Sequence, residues 1–130
     1  MHEAPKMNLR ERIEPILGDP DVLAVILFGS RSRGDAGSGS DTDICVVLGD
    51  VVPEKILYAR KRLAYLSACD LDIHVFQQMP LYLRRRVLRD GRVLFCRDED
   101  ALYDIAYRTA QQFEDFRHIH TAYLQAVAHG

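Results

Sequence analysis

The sequence has no long apolar run, few cysteines and almost no excess of charge of either sign. None of its apolar stretches approaches the roughly 18 to 20 residues that a membrane-spanning helix needs, and its N-terminal residues contain no signal-like apolar core. With 17 Lys and Arg against 19 Asp and Glu, the net charge is −2, which excludes a chain-wide attraction to nucleic acid or to anionic membranes. We therefore expect a cytoplasmic protein that binds neither a membrane nor nucleic acid.

Cysteines are too few and too irregularly spaced for a structural role. The three, Cys45, Cys69 and Cys96, include no CxxC pair, and Cys45 and Cys96 lie in apolar runs typical of strands. This pattern favours small buried thiols in a reducing compartment over disulfides or a zinc site.

Length and composition predict one folded domain. A chain of 130 residues can bury a single modest core, and 48% apolar with 28% charged residues is ordinary for a globular protein. Because the sequence contains neither repeats nor low-complexity tracts, we expect residues 1–130 to form one domain.

Four short apolar runs predict strands. Val22–Phe28 is an unbroken apolar run that is too short for a typical helix, and Asp43–Leu48 is a second run of the same kind. The segments 71–76 and 93–96 are expected to form the third and fourth strands. The unbroken run Val22–Phe28 indicates a buried strand, whereas the segment 71–76 alternates between apolar and polar residues.

Helices are predicted between these strands. Asn8 with Glu11 resembles a helix-start box, and Pro15 should make that helix short or bent before Gly18 ends it. A short helix could follow at 30–34, and prolines begin helices over 53–67 and 80–89. The first of these has an apolar face of Ile56, Ala59, Leu63 and Leu66.

From about residue 98 the sequence predicts one long amphipathic helix. Its stripe, at steps of three and four, is Leu102, Ile105, Thr109, Phe113, Phe116, His120, Tyr123 and Val127. The complete order of elements predicts an α/β (α+β) fold, in which helices flank a mixed sheet and a long helix ends the chain.

Two acidic residues at the start of the second strand are candidates for a metal site. Asp41 and Asp43 are two positions apart, so their side chains are expected to leave the same face of the strand. Two carboxylates held so close repel each other unless a cation lies between them. Hard oxygen ligands on a rigid strand suit Mg²⁺ carrying a nucleotide.

A phosphate cradle is predicted directly after the first strand. Gly29 allows the backbone to approach a ligand closely, and a short helix beginning at Ser30 would aim free N–H groups at it. Arg31 and Arg33 add positive charge with a geometry suited to phosphate. An arginine on a loop is also often merely solvated, so both alternatives stay open for these two residues.

A third carboxylate would complete a two-metal site. Asp70 and Asp72 are both near the start of the third strand, and Asp72 is the better candidate because it alternates with the apolar Leu71 and Ile73. His74 shares its side of the strand and is a candidate for supporting the ligands. We therefore expect Asp72 to join Asp41 and Asp43.

These motifs resemble those of a known family. Gly29 and Ser30, ten further residues and then Asp41 and Asp43 resemble the GSx10DxD signature of the DNA polymerase β-like nucleotidyltransferase superfamily. The fuller string GSRSRGDAGSGSDTD is similar to that of its minimal (MNT) branch, whose members act as antitoxins beside HEPN ribonuclease toxins. The resemblance continues through Asp72, Pro80 and the segment 89–95, and it spans roughly residues 22–125.

The resemblance implies a fold and a set of roles. It implies a polymerase β-like nucleotidyltransferase fold in a single nucleotidyltransferase domain, with ATP as donor and a tyrosine of a HEPN toxin as acceptor. Asp41 and Asp43 would ligate two Mg²⁺ ions, and Asp72 would ligate the catalytic one. The implied nucleotide-binding set is Gly29, Ser30, Arg31, Arg33 and Ser40.

Two other functions remain open at this stage. The protein could neutralise a toxin as a non-catalytic binding module, or it could modify a small molecule or RNA. Arg84–Arg86 are predicted to form a polar helix face, with partner or RNA docking as the alternative. The aromatic residues Phe113, Phe116 and Tyr123 are predicted to be core, with a toxin-facing surface as the alternative.

Overall fold

A four-stranded mixed sheet forms the centre of the protein. The structure, a computed structural model, describes residues 8–29, 43–49 and 55–129. The strands β1 (Val22–Phe28), β2 (Asp43–Leu48), β3 (Asp72–Val75) and β4 (Arg92–Cys96) lie in the order β3-β2-β1-β4. Strand β1 is antiparallel to β2 and β4, and β2 is parallel to β3. The predicted mixed sheet is confirmed.

Apolar side chains cover both faces of this sheet. Alternate residues of β1 and β2 point to opposite faces, so each strand contributes to two separate core clusters. Val25 and Ile44 face one cluster, whereas Ile26 and Cys45 face the other. All four are at most 2% exposed, which explains why the two strands read as unbroken apolar runs.

The first predicted helix is divided into two short ones, α1 (Leu9–Arg12) and α2 (Glu14–Leu17). The Asn8 side chain caps α1 by accepting a 2.8 Å hydrogen bond from the Glu11 N–H. Pro15 lies in the first turn of α2, where its missing N–H disrupts no helical hydrogen bond. The predicted break at the proline is confirmed.

Of the apolar face predicted for helix α3 (Lys55–Ala68), only Leu66 packs against the core. Ile56 and Leu63 are 57% and 64% exposed, whereas Tyr65 is buried. Arg62 is half-buried and its Nε donates a 2.9 Å hydrogen bond to the Ile73 carbonyl on the edge strand β3. The long stems of Lys and Arg can cover apolar surface while their charged ends bind polar groups, and apolar periodicity alone misses such a face.

Strand β3 is shorter than predicted because a 3₁₀ helix, Phe76–Gln78, follows it. The Gln77 side chain accepts from the Leu48 N–H at 3.2 Å and donates to the Leu48 carbonyl at 2.7 Å. An amide side chain therefore continues the pairing with β2 where the backbone of β3 turns away.

Helices α4 (Leu81–Asp90) and α5 (Glu99–His129) follow. Two of the three clustered arginines are packed and do not form a free polar face. The Arg85 guanidinium lies 4.3 Å from the Phe113 ring centre, and that of Arg84 lies 5.9 Å from Phe76. Arg86 is exposed, as predicted.

Only the first part of α5 packs on the body. Ile105 and Thr109 are buried, and the Thr109 hydroxyl donates to the Ile105 carbonyl at 2.8 Å. Residues 114–128 are all exposed, so the predicted core role of Phe116 and Tyr123 is wrong, and Phe113 is half-buried. Among the described helices, none is long and apolar enough to span a membrane.

The pKa of Asp19 should make folding stability depend on acid pH. Burial acts to raise this pKa, but hydrogen bonds from Lys61, at 2.7 Å, and from Tyr65 outweigh burial, and the pKa is lowered. The folded protein therefore holds the Asp19 proton less tightly than the unfolded chain does. This contribution to stability is present above about pH 4 to 5 and is lost as the pH falls further.

We expect Asp19→Asn to lower the free energy of unfolding by about 1–3 kcal/mol at pH 7, and by less at pH 3. Urea denaturation of both proteins at the two pH values measures the difference. Tyr65→Phe, which removes one donor and keeps the carboxylate, is the control and should cost less. An equal loss for Asp19→Asn at pH 7 and pH 3 would contradict the linkage.

Candidate active site and metal centre

Two carboxylates meet where β2 and β3 begin. Asp43 and Asp72 are register partners in the parallel pair, so their side chains lie side by side on the same face of the sheet. Asp43 is also the register partner of Phe28 at the end of β1. The end of β1 and the starts of β2 and β3 therefore converge at one edge of the sheet.

Gly29 follows Phe28 and lies directly against this site. Its φ is +87°, a conformation that residues with a side chain rarely adopt. A Cβ atom added at this position would lie 2.5 Å from Oδ2 of Asp43. Both the backbone conformation and the close approach of the carboxylate therefore require glycine here.

His74 is the third member of the cluster. Its Nε2 lies 3.2 Å from Oδ2 of Asp72 and 3.9 Å from Oδ1 of Asp43. Phe28 holds the imidazole in an edge-to-face contact, with ring centres 5.5 Å apart. The three side chains are 29–41% exposed, so the site opens to solvent.

The surroundings of Asp72 favour its ionised form. Burial acts to raise its pKa, but hydrogen bonds with Asp43 and His74 and electrostatic interactions with His74 and Arg62 lower it. The net direction is downward, so Asp72 is a carboxylate at neutral pH. No sequence motif identifies Arg62 as a site residue. It lies near Asp72 because α3 runs beside β3 in the fold.

This arrangement fits a divalent cation. Asp43, Asp72 and His74 each offer one ligand atom, and these atoms all lie within 4.8 Å of one another. Two carboxylates supply the oxygen ligands that Mg²⁺ prefers, and the partial exposure leaves room for water and for a nucleotide phosphate. The donor set is therefore suited to a metal–nucleotide complex.

The predicted site residues divide into two groups. The structure brings Gly29, Asp43 and Asp72 together, with His74 beside them. Asp70 is outside this cluster, and its carbonyl accepts a 2.6 Å hydrogen bond from Arg12. The other predicted residues, Ser30, Arg31, Arg33, Ser40 and Asp41, lie outside the described residues.

A cavity of about 220 Å³ adjoins the cluster. Its lining is mainly apolar and includes Phe28, Met79 and Leu83, together with the polar residues Arg62, His74 and Gln78. Sites that enclose a whole small molecule are typically about 300–1,000 Å³. The part of this cavity formed by described residues is thus smaller than a complete small-molecule site.

Gly29→Ala should disturb both the backbone and the carboxylate beside it. We expect a loss of about 1–2 kcal/mol in the free energy of unfolding, because an L-residue is strained at this φ. We also expect weaker Mn²⁺ binding in calorimetry, because the new methyl group displaces the Asp43 carboxylate. Gly18→Ala is the matched control, since the nearest atom to its added Cβ is 3.8 Å away. Unchanged Mn²⁺ affinity in Gly29→Ala would contradict the assigned role.

Proteins of known structure share this fold. One is a chain from a toxin–antitoxin complex crystallised with AMP-PNP, with 24% identity and a TM-score of 0.67 over 93% of this chain and 98% of that one. Another comes from a complex of a tri-AMPylated HEPN toxin with its MNT antitoxin from Shewanella oneidensis, with 20% identity and a TM-score of 0.61 over 91% and 97%. The predicted fold is confirmed.

Sequence comparison gives the family. A protein of Methanocaldococcus jannaschii, provisionally assigned as a protein adenylyltransferase, is 27% identical over 99 residues, which are 72% of this chain and 71% of the relative. The profile of the family "Polymerase beta, Nucleotidyltransferase" matches residues 11–100, more than half of the chain. With its carboxylates at the sheet edge, this chain belongs to the polymerase beta nucleotidyltransferase family.

Proposed function

We propose that this protein transfers AMP from ATP to a hydroxyl group of a HEPN-type toxin and thereby acts as its antitoxin in the cytoplasm. The observation that carries the proposal is the meeting of Asp43 and Asp72 beside Gly29, at an edge that opens to solvent. The relative by sequence is provisionally assigned as a protein adenylyltransferase, and the similar structures come from complexes of toxin with antitoxin.

The proposed reaction replaces a phosphoanhydride bond of ATP with a phosphate ester on the toxin. The acceptor oxygen, on a tyrosine of the toxin, attacks the α-phosphorus of ATP and forms a new P–O bond. The bond between the α-phosphorus and the bridging oxygen breaks, and pyrophosphate leaves. The hydroxyl proton passes to Asp72, which is ionised at neutral pH and lies at the open edge of the site.

Each residue of the site has a defined role in this proposal. Gly29 allows the triphosphate and the Asp43 carboxylate to approach the end of β1 closely. Asp43 and Asp72 hold the cation, together with Asp41, and Ser30, Arg31, Arg33 and Ser40 contact the nucleotide. We expect two Mg²⁺ ions, which when bound neutralise phosphate charge and activate the attacking oxygen.

A protein acceptor is favoured by a second surface, which we call the distal face of α5. The residues Phe116, Ile119, Tyr123 and Val127 recur at steps of three and four and are 58–70% exposed. They therefore form one apolar stripe that no described residue covers. Leu124, 51% exposed, widens this stripe.

An uncovered stripe of this kind indicates a partner. Residues 114–128 extend for about 22 Å, and isolated helices of this length are only marginally stable in water. Exposed apolar patches that polar residues surround are typical of protein interfaces. We propose that the HEPN-type toxin covers the distal face of α5, because similar chains were crystallised in toxin–antitoxin complexes.

The catalytic proposal is tested with ATP labelled at the α-phosphate, Mg²⁺ and a HEPN-type toxin. We expect label on the toxin, and a loss of at least about a hundredfold in rate for Asp43→Asn and for Asp72→Asn, because each removes a metal ligand. Asp100→Asn, at an exposed position in the first turn of α5, is the matched control.

The same assay separates the alternatives. Toxin inhibition that is stoichiometric and unaffected by Asp43→Asn would contradict catalysis and indicate a binding module. Label that appears on RNA or on a small molecule instead of the toxin would contradict the proposed acceptor.

Ile119→Asp should weaken toxin binding by about thirtyfold or more, which corresponds to about 2 kcal/mol, because it places a charge within the apolar stripe. Gln125→Asp places the same charge on the opposite side of α5 and serves as the control. Titration of fluorescently labelled toxin measures both affinities. Equal affinities for the two variants would exclude the distal face of α5 as the docking surface.

A further inference from the structure

We propose that His74 is itself a ligand of the catalytic cation, so that this centre has a nitrogen donor in addition to its carboxylates. The inference rests on the proposed function in one respect, namely that a cation binds between Asp43 and Asp72. It adds a residue to the centre and predicts a different metal preference from that of a centre with carboxylates alone.

The distances match those between ligands of one ion. In an octahedral site with metal–ligand bonds of about 2.1 Å, neighbouring ligand atoms are about 3.0 Å apart and opposite ones about 4.2 Å apart. Nε2 of His74 lies 3.2 Å from Asp72 Oδ2 and 3.9 Å from Asp43 Oδ1, within this span. The three ligand atoms all lie within 4.8 Å of one another, so one cation can contact all three side chains once the carboxylates adjust around it.

The fold holds His74 in place for this role. Its position two residues after Asp72 puts both side chains on the same face of β3. Cys45, its register partner on β2, is buried and contacts Met79, so the strand beneath the imidazole is anchored in the core. The edge-to-face contact with Phe28 limits rotation of the ring.

A nitrogen ligand changes which metal binds best. Mg²⁺ prefers oxygen ligands, whereas imidazole suits transition metals such as Zn²⁺, and Mn²⁺, which also suits carboxylates, accepts an imidazole more readily than Mg²⁺ does. Because His74 joins two carboxylates, we expect the site to bind Mn²⁺ more tightly than Mg²⁺. If His74 only donated a hydrogen bond to Asp72, its loss would weaken the binding of both ions alike.

The direct test is pulsed EPR of Mn²⁺ bound to the protein. We expect electron spin-echo modulation from a coordinated ¹⁴N, replaced by the ¹⁵N pattern when the histidines are labelled with ¹⁵N. The chain has five histidines, so His74→Asn must then abolish the signal and His118→Gln, on the distal half of α5, must retain it. The signal of the unaltered protein needs no variant and remains informative if His74→Asn folds poorly.

Calorimetry gives an independent measure of the same ligand. We expect His74→Asn to lower Mn²⁺ affinity by about tenfold or more and Mg²⁺ affinity by much less. Equal losses for the two ions would overturn the assignment of His74 as a ligand.

The failure of this inference can be told apart from failure of the proposed function. Labelled AMP on the toxin without nitrogen coupling to bound Mn²⁺ would overturn the role of His74 alone. Nitrogen coupling that disappears in His74→Asn, in a protein that transfers no label, would support the ligand and contradict the proposed transfer. Absence of any Mn²⁺ binding that depends on Asp43 would overturn the inference as well.

Discussion

The site depends on the parallel register between β2 and β3. Asp43 pairs with Asp72, and both strands begin at the same edge of the sheet, so two carboxylates that are far apart in sequence become neighbours. A shift of one residue would turn Asp72 to the opposite face, against the apolar cluster beneath α3. Ile73 and Val75, which are almost fully buried in that cluster, prevent such a shift.

Strand β3 lies at one edge of the sheet, and two side chains help to hold it in place. Arg62 donates to the Ile73 carbonyl, and Gln77 pairs with both backbone groups of Leu48. The Arg62 contact satisfies a carbonyl group of an edge strand, and Gln77 satisfies the backbone groups of Leu48 at the end of β2, beyond the last residue of β3. Because Arg62 also acts on the charge of Asp72, the helix that supports the strand also contributes to the electrostatics of the site.

The body of the protein and the distal half of α5 differ in how they are stabilised. The body is closed around two apolar clusters, whereas the distal half of α5 has no described cover for its apolar face. Such a helix gains most of its stability from packing of its apolar face, which is consistent with a partner that binds there. Partner binding and nucleotide binding would thus use separate surfaces of one small chain.

Sequence by itself predicted the strands β1 and β2, the break at Pro15 and the need for glycine at position 29. These features follow from local rules, since unbroken apolar runs, proline and glycine each restrict the backbone wherever they occur. The choice of Asp72 over Asp70 also came from local alternation with apolar neighbours, and the cluster around Asp72 agrees with it. The roles predicted for Asp41 and Ser30 remain predictions.

Only the tertiary structure decided which face of α3 packs, where α5 leaves the body and how close His74 comes to both carboxylates. Ile56 and Leu63 are exposed because Lys61, Arg62 and Tyr65 bind polar groups of neighbouring segments, and no periodicity encodes those partners. Likewise, the stripe along α5 is continuous in sequence, although only its first part meets the core. Periodicity identifies an apolar face, but only the packing of distant segments determines what covers that face.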